Sequence, residues 1–175
     1  MPIDESAEFI PLNLAVLTVS DTRTADTDTS GDILVEKLTG AGHNLAARTI
    51  VRDDVEALAD QFRQWMADDG VDAIISTGGT GLTGRDVTPE ALDRVKDKDI
   101  PGFGELFRWL SYEHIGTSTI QSRAMAVLAG NTYIFALPGA NGAVKDGWNG
   151  ILSTQLDSRY RPCNFVELMP RLSER

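Results

Sequence analysis

Residues 73–92, AIISTGGTGLTGRDVTPEAL, narrow the folds open to this chain more than any other stretch. They begin as a short apolar run, pass through four glycines in seven residues, and end at Thr88-Pro89. A short apolar, β-branched run reads as a buried strand. Proline suits the first position of a helix, where its missing N–H costs nothing. Strand, glycine loop and helix in that order build open parallel α/β sheets, which bind ligands at the carboxyl ends of their strands.

The rest of the chain repeats the alternation. Residues 12–20 read as a buried strand, and the polar residues 21–29 as a loop. Thr29 with Asp32 makes a helix start, Leu34, Leu38 and Ala41 give it one apolar face, and Gly40 and Gly42 stop it. Residues 45–51 are a second strand. Asp53 with Glu56 is another capping signal. After it Val55, Leu58, Ala59, Phe62, Trp65 and Met66 follow helical spacing, and Gly70 closes the segment. The helix from Thr88 is expected to break at Pro101-Gly102. ELFRWLSYEHI and STIQSRAMAVLA are both expected to be helical, with Gly116 between them. Residues 132–138 are a fourth strand running into a second loop, PGANGA. Val144, Trp148, Ile151 and Leu152 form a last helical stripe. The expectation is one α/β domain over residues 1–175 with a mostly parallel sheet, and residues 1–8 as a loose tail.

Charge removes several function classes. The formal net charge is -10 and the basic residues form no cluster, which argues against nucleic acid and membrane surfaces as partners. No apolar run reaches the roughly 18 residues of a membrane span, and the acidic start does not read as a signal peptide. The single cysteine, Cys163, fits a reducing cytoplasm and is expected as a small buried hydrophobe.

Gly79-Thr-Gly81-Leu-Thr-Gly84 matches the dinucleotide-binding pattern literally but fails in context. Its third glycine precedes the helix start at Thr88-Pro89, and no strand ending in an acidic residue follows. No Gly-Lys-Ser/Thr completes a P-loop. What remains is a set of backbone N–H groups at Gly78, Gly79, Gly81 and Gly84 able to form an anion nest, with hydroxyls at Thr77, Thr80 and Thr83. The alternative is a plain surface turn. Asp21, Asp53 and Asp86 fall at the ends of the same strands or loops. Each has an ordinary alternative: an Asx-turn for Asp21, a helix cap for Asp53, and loop ordering or a pair with Arg85 for Asp86. Together, beside a phosphate loop, they suggest Mg²⁺ shared between carboxylates and substrate phosphates. Arg85 either neutralises phosphate charge or is solvated. His43 and His114 read as structural. Trp65, Trp109 and Trp148 fit apolar stripes, as core or subunit interface.

The segments LTVSDT, TGGTGLTGRDVTPEA, PGFGELFR, QSRAMA and LPGANGAV resemble the MoaB/MogA family of molybdenum cofactor biosynthesis proteins and the G domain of gephyrin. The likeness runs over residues 12–165, and QLDSRYRPCNF is most similar to the MoaB branch. The resemblance implies a three-layer α/β/α fold and self-association as a trimer or hexamer. It implies adenylylation of molybdopterin by ATP with release of pyrophosphate, with other cofactor-biosynthesis enzymes as further partners. It places the key acidic positions, catalytic and metal-holding, on Asp53 and Asp86. The phosphate serine falls on Ser122, the loop glycines on Gly78, Gly79 and Gly81, and the PG of the last loop on Pro138 and Gly139. With the residue chemistry above, the expected phosphate contacts are Thr77 to Gly81, Arg85 and Ser122, and the expected nucleotide contacts Asp21, Pro138 and Gly139. Where the family commonly has PGNP this chain has PGAN, with Ala140 and Asn141. A non-catalytic molybdopterin carrier or a pathway scaffold is the alternative function.

Overall fold

The computed structural model of the chain describes residues 3–174. Six strands form one sheet: β1 (Asn13–Val19), β2 (Asn44–Val51), β3 (Ala73–Thr77), β4 (Lys98–Asp99), β5 (Met125–Ala129) and β6 (Thr132–Leu137), in the order β2-β1-β3-β6-β5-β4. The first four in that order run parallel. β5 is antiparallel to β6, and β4 to β5.

Alternation along each strand builds two cores, one on each face. Leu14 and Val16, Ala73 and Ile75, and Tyr133 and Phe135 face α1 (Thr29–Gly40), α4 (Pro101–Ile115) and α5 (Asn141–Gly147). Ala15 and Leu17, Ile74, and Ile134 and Ala136 face α2 (Val55–Met66) and α3 (Thr88–Asp93). α5 continues through a wider π turn over Trp148–Leu152 into α6 (Ser153–Gln155), and α7 (Phe165–Leu168) closes the first core. The α2 stripe is as expected, with Leu58, Phe62 and Trp65 buried.

The main correction concerns the stretch expected as a helix after Gly116. Its first part is a 3₁₀ turn, Gly116–Gln121, and Met125–Ala129 is strand β5. Five almost wholly buried apolar residues carry no periodicity that separates strand from helix. Pro101 opens α4 at its first turn rather than breaking the preceding helix. The caps also shift by one residue. Asp28, not Thr29, caps α1 by accepting from the Gly31 N–H, and Asp54, not Asp53, caps α2 by accepting from the Ala57 N–H. Val87 occupies the cap position of α3, and the Thr88 hydroxyl turns back to the Gly78 carbonyl at 2.9 Å.

Within the tail expected to be loose, Ile3 pairs with Tyr160 and the Asp4 N–H donates to the Arg159 carbonyl. Met1 and Pro2, also assigned to that tail, lie outside the described residues. Cys163 is exposed, not buried. No helix among the described residues is long and apolar enough to cross a membrane.

Candidate functional site

β1 sends its chain left to β2 and has β3 on its right, so the sheet reverses its strand order between β1 and β3. A crevice opens at the carboxyl ends of strands at such a point. The glycine loop leaves β3 there and passes tight against β1. Gly78 has φ +103°, and a Cβ on it would lie 2.3 Å from the Val19 carbonyl oxygen. Gly79 has φ +68°, and its Cβ would meet the Thr88 hydroxyl at 2.4 Å. Two consecutive residues at positive φ, the first pressed against backbone and the second against the Thr88 side chain, require glycine.

The loop's donors are partly spent inside the protein. The Gly78 N–H bonds the Leu137 carbonyl at 2.9 Å, and the Thr77 hydroxyl donates to the Pro138 carbonyl at 3.1 Å. These bonds tie the loops after β3 and β6 together, and they take Thr77 and Gly78 out of the set of free anion donors. The Thr83 amide and hydroxyl donate to Asp86 Oδ2 at 2.9 and 2.7 Å. The N–H groups of Gly79 and Thr80 have no protein acceptor among the described residues.

On one side of the loop lie the acidic groups. Because Asp54 caps α2, the Asp53 side chain is left free of that task. Its amide donates to Asp21 Oδ1 at 3.3 Å, and its carboxylate faces Gly79. Arg85 pairs with Asp21 while remaining largely exposed. Burial, with the Asp86 charge as the next cause, pushes the Asp53 carboxyl above the usual carboxylate range. Burial also acts upward on Asp86, but the Thr83 hydroxyl and amide, the Gly81 amide and Arg123 outweigh it and hold that carboxyl low. Two neighbouring carboxylates with opposed shifts are a common mark of a working site. Such a pair is also the donor set Mg²⁺ accepts, since that ion takes one or two carboxylates and completes its shell with water and phosphate oxygens. No group of three or more acidic, histidine or cysteine side chains suited to a metal is present among the described residues.

On the other side is a cavity of 520 Å³ lined by Thr80, Gly81, Ser122, Pro138, Phe107, Ile115 and Ala143, among others. Ser122 reaches it because β5 runs antiparallel to β6, which brings the start of β5 to the carboxyl end of the parallel strands. Asp53 and Asp86 do not line this cavity. Gly81 borders both compartments: it lines the cavity, and a Cβ on it would lie 2.7 Å from Asp86 Oδ2. The loop after β6 packs Gly139 against Gly78, and Asn141 accepts from the Thr29 hydroxyl at 3.0 Å.

Three functional candidates escaped the sequence reading. Arg123 donates to the Gly81 and Asp86 carbonyls, both at 2.7 Å. His114, read as structural, sits at the cavity with Asp146 3.1 Å from its Nδ1. Asp28, fully buried, accepts from Thr18, Gly31 and Arg48 and anchors the loop after β1. Arg123 adjoins Ser122 and was hidden by the helical reading of that stretch. His43 is structural, accepting from the Leu12 N–H through Nδ1 at 3.1 Å. Trp65 and Trp148 are core, whereas Trp109 is 67% exposed.

The fold and the crevice define a three-layer, open-sheet α/β protein with its candidate ligand site at a topological switch point. Residues 15–158 match the family described as "Probable molybdopterin binding domain". Molybdenum cofactor biosynthesis protein B of Escherichia coli K12 is 49% identical over 160 residues, which cover 91% of this chain and 94% of that protein. The protein of the same name from Staphylococcus carnosus TM300 is 47% identical over 149 residues, covering 83% and 87%. A crystal structure of a molybdenum cofactor biosynthesis protein B superposes with a TM-score of 0.85 at 36% identity, covering 95% of this chain and 98% of the other. The chain belongs to this molybdopterin-binding family.

Proposed function

We propose that the protein acts in molybdenum cofactor biosynthesis by transferring an adenylyl group from ATP to molybdopterin, releasing pyrophosphate. The observation that carries this reading is a glycine loop at the switch point with a carboxylate pair on one side and a mainly apolar cavity on the other. Two substrates need two compartments that meet at one backbone segment, and Gly81 borders both.

Molybdopterin's phosphate monoester carries its negative charge near neutral pH without help from a base. One of its oxygens bonds to the α-phosphorus of ATP, and the bond from that phosphorus to the bridging oxygen of pyrophosphate breaks. No proton need be removed, so catalysis reduces to positioning and charge neutralisation. Ser122 and the free N–H groups of Gly79 and Thr80 would hold the attacking phosphate. Asp21, Pro138 and Gly139, on the loops after β1 and β6, would receive the nucleotide. Asp53 and Asp86 would hold Mg²⁺, which when bound supplies neutralising charge to the triphosphate. Arg85, drawn in by Asp21, adds a cation at the rim.

The reading places the protein in the cytoplasm, where ATP is available. It includes self-association as a trimer or hexamer, for which Trp109, Tyr112, Ile115 and Ile120 offer an exposed apolar surface. One observation favours a second reading, a molybdopterin carrier or pathway scaffold without catalysis. Asp86 Oδ2 is already satisfied by Thr83 and orders its own loop.

Anaerobic incubation of the protein with molybdopterin, ATP and Mg²⁺, following adenylylated product and pyrophosphate together, separates the two. Wild type is expected to form both in equal amounts and Asp86→Asn little of either. Molybdopterin binding without either product would remove the enzyme reading and leave the carrier.

A further inference from the structure

Arg123 uses its whole guanidinium on the glycine loop and its helix. Nε donates to the Gly81 carbonyl at 2.7 Å, and one terminal nitrogen donates to the Asp86 carbonyl at 2.7 Å. The other terminal nitrogen meets Glu90 at 2.5 Å. The backbone amide of the same residue donates to the Thr80 carbonyl at 2.8 Å. One residue therefore bonds both ends of the segment from Thr80 to Asp86, and it follows Ser122 directly in the chain. A glycine-rich segment has little stiffness of its own. The planar fork of an arginine fixes several acceptors in one geometry, which a lysine cannot do.

We infer that Arg123 is a positioning residue for the proposed transfer. It locks the segment leading into β5, which bears Ser122, to the loop that bears Asp86, so that the cavity and the carboxylate pair keep one separation. The inference rests on the adenylyltransferase reading for what the separation serves. Its geometry does not depend on that reading. Glu90 acts as the outer anchor that holds the fork in plane, and its own carboxyl is held below the usual range by the Arg123 hydrogen bond.

The test uses Arg123→Gln, Arg123→Lys and Glu90→Gln in the full chain. Two properties are read: hydrogen exchange of the bonded loop amides of Thr83, Asp86 and Thr88 in the ligand-free protein, and steady-state pyrophosphate release. In Arg123→Gln these amides should exchange about tenfold faster or more while those of the central strands keep their rates. The rate constant kcat should fall about tenfold to a hundredfold while KM for molybdopterin changes less than about threefold, the pattern of lost alignment. Arg123→Lys should recover only part of either property, since lysine cannot supply the fork, and Glu90→Gln should give a smaller loss of the same kind. A residue that serves only to hold the fold together would lower the denaturation midpoint and speed exchange in the strands and the loop alike. Unchanged loop exchange and kcat in a folded Arg123 variant overturn the inference, as does a rise confined to KM. If Arg123→Gln does not fold, Arg123→Lys and Glu90→Gln decide it by the same readouts. If wild type releases no pyrophosphate, the adenylyltransferase reading falls, and loop exchange still decides whether Arg123 sets the loop.

Discussion

The Asp86 carboxylate is gripped by Thr83, three residues back in the chain, through both the amide at 2.9 Å and the hydroxyl at 2.7 Å. The loop thus satisfies its own donors with its own anion. An aspartate in a glycine-rich, anion-seeking loop is therefore no contradiction: it is the first anion the loop binds, and it stays charged because the loop holds it. Asp53, half-buried nearby, bears the opposite shift.

Thr83→Val removes the hydroxyl and keeps the amide. The Asp86 midpoint should rise toward the ordinary carboxylate value, because one of the bonds that favour the charged form is gone. NMR titration of the ligand-free protein reads this directly. An unmoved Asp86 midpoint would mean that the amides alone hold the carboxylate. Pyrophosphate release should fall, with the Asp86→Asn variant as the lower limit.

Asp53→Asn should stabilise the ligand-free protein at neutral pH. The folded Asp53 carboxyl sits above its unfolded value, so the folded state binds more protons than the unfolded one between the two. Stability therefore declines as pH rises through that window, and the penalty is fully present above it. The asparagine variant should have the higher thermal midpoint at pH 7, and its advantage should vanish below the unfolded carboxylate range. A variant less stable than wild type at pH 7 would show that Asp53 contributes bonds outweighing its burial. The same substitution should abolish product formation, so stability and activity move in opposite directions.

The parallel strands and the glycine loop were legible because each has a local signature: β-branched runs, glycines in series, and proline at a helix start. β5 was not legible. Met125–Ala129 is almost wholly buried, and its role as a strand is fixed by pairing with β6, a contact that adjacent sequence does not record. That one misreading hid Arg123, whose partners lie 33 to 43 positions away. The cap shifts have a simpler cause. Asp53-Asp54 and Asp28-Thr29 are each two capping residues in a row, and only the geometry of the entering chain selects between them. At Asp53 the selection matters, because the residue freed from capping is the one that faces the glycine loop.

Gly78→Ala should destabilise the fold by roughly 3 kcal/mol, since a left-handed backbone and an overpacked contact each cost of order 1–3 kcal/mol. The added methyl would meet the Val19 carbonyl at 2.3 Å, and backbone cannot step aside as a side chain can. Gly84→Ala, with nothing within 4 Å of its Cβ, is the control and should be near neutral. Chemical denaturation of the two variants side by side tests the pair, and equal stabilities would mean that the crevice relaxes freely.

Arg48→Met should cost about 2–3 kcal/mol at pH 7, at or below the low end of what breaking a buried ion pair costs, because Arg48 itself is 27% exposed. Asp28 is fully buried, and it would keep the Thr18 and Gly31 bonds and the more distant Arg23 at 3.9 Å but lose its hydrogen-bonded cation. Burial acts upward on its carboxyl, yet Arg48, Thr18 and Gly31 together hold it low. That stabilisation is complete above the unfolded carboxylate range and is lost as pH falls through the folded value. The deficit of the variant should therefore narrow as the pH of the denaturation series is lowered. A deficit that holds constant into acid would assign the loss to packing of the arginine stem.

Trp109→Glu addresses self-association. Trp109 is 67% exposed on α4, with Tyr112, Ile115 and Ile120 also exposed close along the chain, and a tryptophan so placed in a monomer leaves a large apolar surface in water. Covering it with a second copy would bury that surface, and one glutamate at its centre would place an unpaired charge in the contact. Sedimentation of wild type should show a trimer or hexamer, and of the variant a smaller species with an unchanged circular dichroism spectrum. α4 also carries Phe107 and Ser111 into the cavity wall, so the variant is expected to bind molybdopterin more weakly as its helix loses support. A wild-type monomer, or a variant that sediments as wild type does, would move the interface off this helix.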